Sequence, residues 1–129
     1  MEKRTIVTKI HLVISVFIVI PAALIYGFNL GDFLDISFIT TDEQSFSKAI
    51  MGLYLGFSIL WTLGIFRSEY LKTALISNAI FMLGLALGRL LSIIMDGLPS
   101  EAYMFGTVGE LILGGYGFWV LNSKYLKKS

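Results

Sequence analysis

Gly84-Leu85-Ala86-Leu87-Gly88-Arg89-Leu90-Leu91-Ser92-Ile93-Ile94-Met95-Asp96-Gly97-Leu98-Pro99 decides how the chain is read. An arginine stands deep inside an apolar run, and an Asp-Gly-x-Pro stop closes the run. Read as a membrane helix, this stretch carries a charge that costs about 2.5–3.5 kcal/mol to insert unless a partner or water meets it. The rest of the chain can be read as supplying that partner and holding it in place.

The 129 residues are 56% hydrophobic and only 15% charged, fewer charges than a soluble domain of this length carries. Charge-free runs span 10–31, 49–66 and 73–88, the last continuing to Asp96 if Arg89 is tolerated. A fourth, 102–123, is interrupted only by Glu110. Each approaches the roughly 20 residues that cross a bilayer core. The expected fold is all-α: one transmembrane domain over 1–129, an integral membrane four-helix bundle. Its helices fall at about 6–29, 42–67, 72–96 and 101–123, with an outer connection over 30–41. The absence of cysteine excludes disulfides and thiolate chemistry. A net charge of +1 predicts no nucleic-acid partner, and no metal-ligand spacing or cofactor motif appears. Lys3, Arg4, Lys9, Arg67, Lys72, Lys124, Lys127 and Lys128 gather at the termini and the middle connection. Asp32, Asp35, Asp42, Glu43, Asp96 and Glu101 gather in the other two connections. The positive-inside bias then puts both termini in the cytoplasm.

Met1–Lys9 followed by Ile10–Phe28 has the order of a signal peptide, but the apolar run is too long and no A-x-A site follows, so a retained helix is expected. Pro21 should kink it. His11, about one turn inside, reads as a satisfied interfacial residue. Thr40-x-x-Glu43 and Thr41-x-x-Gln44 both fit a capping box, so the second helix should start near Asp42. Gly52-x-x-x-Gly56 and Gly84-x-x-x-Gly88 read as close-packing motifs. Where those seams point discriminates between readings: convergence inside one chain means a self-sufficient bundle, and an outward seam means a partner. Gly97 suits a left-handed C-cap and Ser100 an N-cap. Trp61, Trp119, Tyr70 and Tyr125 read as an interfacial aromatic belt.

Asn78, Leu85, Arg89, Ser92 and Asp96 fall within one arc of the third helix. The fourth aligns Tyr103, Gly106, Glu110, Gly114 and Gly117. Arg89 lies roughly 10 Å, and Glu110 roughly 13 Å, from the same helix end at 1.5 Å per residue. Opposite charges at nearly equal depth on antiparallel neighbours should meet, with Lys48, Asp96 and Tyr54 forming a mouth above them. The expected polar cluster is Lys48, Arg89, Ser92, Asp96 and Glu110, with Tyr54 and Asn78 secondary.

Ala49-Ile50-Met51-Gly52-Leu53-Tyr54-Leu55-Gly56, Gly88-Arg89-x-x-Ser92-x-x-x-Asp96-Gly97-x-Pro99 and Glu110 together resemble an uncharacterised family, a domain of unknown function found in small bacterial four-helix membrane proteins. That family often has arginine where this chain has Lys48, which keeps a point charge but not a fork. The resemblance implies a multi-pass protein of the bacterial inner membrane and supplies no activity, substrate or cofactor.

No nucleophile stands beside a base and no glycine-rich phosphate loop follows a strand, so a non-enzymatic role is favoured. The leading expectation is that the charged cluster binds a membrane lipid or amphiphile from the outer side. The alternative makes the protein an accessory subunit of a homo-oligomer or larger membrane complex, its charged pair a helix clamp. An ion-coupled small-molecule transporter ranks third, because Arg89 would hold Glu110 ionised.

Overall fold

The computed structural model describes residues 2–127; Lys128, counted among the C-terminal bases, lies outside them. The chain is all-α. Its long helices are α1 (Lys3–Gly27), α2 (Thr41–Phe66), α3 (Leu71–Asp96) and α4 (Glu101–Leu121), and a short α5 (Lys124–Lys127) follows. All four long helices are long and apolar enough to cross a membrane. They form an antiparallel ring in which α1 packs chiefly on α2 and α3 on α4, with thinner seams between α2 and α3 and between α1 and α4. One end of the ring carries the α1–α2 and α3–α4 connections (the loop end), and the other carries the termini and the α2–α3 turn.

Local chemistry sets the boundaries. Thr40 and Glu43 form the capping box: the Thr40 hydroxyl accepts from the Glu43 N–H at 3.1 Å, and the Glu43 carboxylate accepts from the Thr40 N–H at 3.2 Å. The helix thus opens at Thr41, and the Thr41/Gln44 alternative is not used. The α1–α2 connection folds back on the bundle. The Asn29 side chain brackets Phe38, accepting from its N–H at 3.0 Å and donating to its carbonyl at 3.2 Å. Ile36 is buried beneath it. Gly97 stops α3 at φ 97°, ψ −176°, a region open essentially to glycine. The positive φ is what the glycine cap predicts, but ψ lies outside the left-handed helical well. Ser100 occupies the N-cap position of α4, but its buried hydroxyl has no partner, so its backbone carbonyl alone caps the helix. Helix α1 runs on through Pro21 without interruption.

The terminal end is tightly laced. Lys9 Nζ donates to the Ile65 carbonyl at 3.0 Å, Arg4 Nε to the Tyr125 carbonyl at 2.7 Å, and the Tyr116 hydroxyl to the Val7 carbonyl at 2.7 Å. Between α2 and α3, Gly64 lets the Ala74 methyl approach. Trp61 is 0% exposed, donates to the Ser77 hydroxyl at 3.2 Å, and stacks edge-on with Phe81 at 5.0 Å. Trp61 is therefore core and not part of an interfacial belt, because α3 places Ser77 where the indole N–H needs an acceptor. Trp119 is half-exposed and Tyr70 exposed.

His11 also departs from expectation. It is buried against Tyr116, ring centroids 5.0 Å apart, and neither ring nitrogen has a hydrogen-bond partner. Gly117 makes the room, since a Cβ there would sit 3.2 Å from His11 Nε2.

Gly64→Ala should lower stability by about 1–3 kcal/mol, the usual cost of overpacking a tight contact. Gly52→Ala, where a Cβ meets nothing within 4 Å, should leave stability unchanged or raise it by up to about 1 kcal/mol through helix propensity. Melting followed by fluorescence-detected size exclusion checks both.

Candidate functional site

The third and fourth helices, joined by the short turn after Gly97, bring Arg89 and Glu110 face to face. Arg89 Nε donates to both Glu110 oxygens, at 2.6 and 3.2 Å. The side chains are 21% and 10% exposed, so the pair is largely buried. Tyr103, two turns before Glu110 on the same face of α4, lays its ring over the guanidinium, 5.2 Å from Cζ to the centroid. Tyr26 from α1 and Tyr54 from α2 line the same cleft walls as the guanidinium. Their rings pack at 5.9 Å, and Tyr26 lies 6.2 Å from Tyr103. Four helices thus each contribute at least one group around Arg89. Glu110 takes only the Nε edge, which leaves both terminal Nη groups to the tyrosines and the space beside them.

That space is considerable. Between α2 and α3 at the loop end lies a cleft of about 500 Å³, with Phe38 and Phe46 at its top and Tyr54, Gly88 and Arg89 at its base. Between α1 and α4 lies a second of about 290 Å³, walled by Val19, Ala22, Met82 and Leu113 and reaching Arg89 and Glu110. A third, about 240 Å³, runs from Arg89 past Ser92 and Thr107 to Pro99. Arg89 lines all three. The contrast with the laced terminal end explains the openings: α2 and α3 are held together at Gly64 and Ala74 and have no comparable contact at the level of Gly88.

The residue types expected at the site are distributed differently from the single cluster. Arg89, Glu110 and Tyr54 come together. Ser92 lines two of the clefts, but its hydroxyl donates to Asp96 Oδ2 at 3.0 Å, a local bond one turn along α3. Asp96 is exposed and addresses Ser92, not Arg89. Lys48 is exposed and has no polar partner among the described residues, so the mouth of Lys48 and Asp96 does not form. The reason is angular: Ser47 and Tyr54 carry the inward face of α2, and Lys48 follows Ser47 by one residue, about 100° round the helix. Asn78 is fully buried about three turns from Arg89, in the laced half, with both amide atoms unpartnered. Tyr26 and Tyr103 are the members sequence reasoning left out. Tyr103 did share the helix stripe with Glu110, but a tyrosine near a helix end reads equally as an interfacial anchor.

The glycines also divide. Gly114 packs on Leu83 and Gly117 on His11, inside the bundle. Gly52, Gly56, Gly84, Gly88, Gly106 and Gly109 meet no neighbour within 4 Å of a built Cβ, so the Gly52/Gly56 and Gly84/Gly88 motifs do not mediate packing within the chain. Among the described residues no group of His, Cys, Asp or Glu could hold a metal ion.

The family model for a domain of unknown function, DUF4345, matches residues 7–121. The chain belongs to that family. The matched span contains every residue of the Arg89 site. No curated protein and no solved structure matches the chain. The geometry of this DUF4345 domain therefore carries the functional reading: a paired guanidinium with spare donors, ringed by tyrosines, at the junction of three clefts.

Arg89→Ala leaves Glu110 buried without its partner and should destabilise the fold by about 3 kcal/mol. Lys48→Ala, which removes an exposed and unpaired charge, should change stability by less than about 0.5 kcal/mol. Folded yield and melting temperature in detergent compare the two.

Proposed function

We propose that this protein is a non-enzymatic, multi-pass protein of the bacterial inner membrane, with both termini in the cytoplasm, that binds the polar end of a lipid or amphiphile in its outer half. Four apolar helices and the gathering of basic residues at the terminal end support this placement. The loop end then faces outward, and the clefts between α2 and α3 and between α1 and α4 open sideways into the outer leaflet. The carrying observation is the convergence of three clefts on a buried arginine whose carboxylate partner occupies only Nε. A clamp needs the ion pair; it does not need open space beside it, nor a ring of tyrosine donors.

Gly88→Leu tests this without touching the charged pair, because Gly88 lines the α2/α3 cleft and has room for a side chain. The wild-type protein extracted in mild detergent should retain a lipid-sized species in native mass spectrometry, and Gly88→Leu should lose it while eluting as a folded monodisperse peak. A wild type that retains nothing counts against the reading.

A second reading, an accessory subunit, is favoured by one observation: Gly52 and Gly56 sit on the face of α2 opposite Tyr54 with nothing against them. Because the chain has no cysteine, Gly52→Cys provides a unique reporter. Crosslinking in native membranes to a discrete larger species supports the second reading, and an uncrosslinked chain supports the first.

A further inference from the structure

The clefts around Arg89 differ in what they offer, and the difference specifies the ligand. This inference rests on the reading that an amphiphile binds there. Tyr26, Tyr54, Leu85 and Arg89 line both the α2/α3 and the α1/α4 cleft, so they form a wall that the two share. A head group at that wall touches polar donors, while the space running down between α1 and α4 is walled by Val19, Ala22, Met82 and Leu113. That cleft, at about 290 Å³, lies at the low end of ligand pockets and suits one hydrocarbon chain.

Charge decides the head. The Arg89 guanidinium is already matched by Glu110 at 2.6 Å, and neither cleft is lined by another basic side chain among the described residues. Lys48, next in sequence to the cleft-lining Ser47, is exposed and lines neither. An anionic head would stand beside the Glu110 carboxylate with no spare cation, and like charges at close range beside a largely buried pair repel. Donors, by contrast, outnumber the charges: Glu110 engages Arg89 through Nε alone, and Tyr26, Tyr54 and Tyr103 line the cleft beside it. Donors without spare charge suit a carbonyl or ester oxygen.

Glycines supply the room. Gly106 and Gly109 line the α1/α4 cleft, and a Cβ at either meets nothing within 4 Å. Glycine weakens a helix relative to alanine, and here no neighbouring backbone uses the space it frees. The space is cleft volume.

We infer that the ligand is an uncharged, single-tailed amphiphile whose carbonyl or ester oxygens accept hydrogen bonds from Arg89 and the adjacent tyrosines, with its hydrocarbon tail in the α1/α4 cleft. The full chain in micelles doped equally with a monoacylglycerol and with the same molecule bearing a terminal phosphate provides the test, read by native mass spectrometry. The monoacylglycerol should be retained at least tenfold over its phosphate. Retention should fall at least tenfold in Gly109→Leu and hold in Gly52→Leu, which fills open space away from both clefts. Gly106→Leu replaces Gly109→Leu should the latter fail to elute as a folded species. Preference for the phosphate overturns the uncharged head and leaves amphiphile binding standing. Retention unchanged in the cleft-filling variant overturns the tail placement. Retention of neither molecule overturns this inference together with the reading beneath it.

Discussion

The Arg89–Glu110 bond is the constraint to which the loop half of the molecule answers. A guanidinium this far from either end of α3 and only 21% exposed must be met, and the carboxylate that meets it fixes the register of α3 against α4. The geometry is sideways: Nε is engaged and the Nη groups are not held by the carboxylate. A bidentate end-on fork would have consumed the donors that Glu110 leaves unengaged beside the clefts. The same bond therefore serves the fold and leaves chemistry available.

The second determinant is the contrast between the two ends. Near the termini, Gly64 and Ala74 bring α2 and α3 into contact, and the indole of Trp61 finds Ser77. The rings of Tyr54, Phe57, Trp61 and Phe81 fill the interior above this point. Toward the loop end the same two helices part around Gly88, and the connection folds back so that Phe38 lies edge-on to Tyr26 at 6.2 Å. Small residues thus act in opposite ways in one bundle: at Gly64 and Gly114 they admit a neighbour, while at Gly88 and Gly109 they keep a volume open.

Much of this was legible in the chain. Apolar runs of spanning length specify helices, the Thr40/Glu43 box starts α2, and Gly97 with Pro99 stops α3. Arg89 and Glu110 could be paired by depth because both lie a countable number of residues from one tight turn. What could not be read is rotation about the helix axes. Lys48 and Ser47 differ by one residue and by about 100°, so a depth argument places either at the mouth while only Ser47 reaches it. Periodicity is likewise blind to whether a G-x-x-x-G faces a helix or open space, and Gly52/Gly56 read identically to a packed motif. By residue type and position, Trp61 and His11 read as interfacial. Their burial follows from partners on other helices, Ser77 and Tyr116, that no local pattern announces.

The division of the ring into two strongly packed pairs, α1 with α2 and α3 with α4, has a bearing on how such a chain is built. Arg89 and its acid belong to the same pair, separated by one short turn. If the chain is placed in a bilayer as proposed, the later hairpin would enter already neutralised, its charge cancelled by a residue one short turn away and not by one on a distant segment. Under the proposed membrane placement, biogenesis would reduce to the insertion of two hairpins followed by lateral docking, and the thin seams between the hairpins are the ones that carry the clefts.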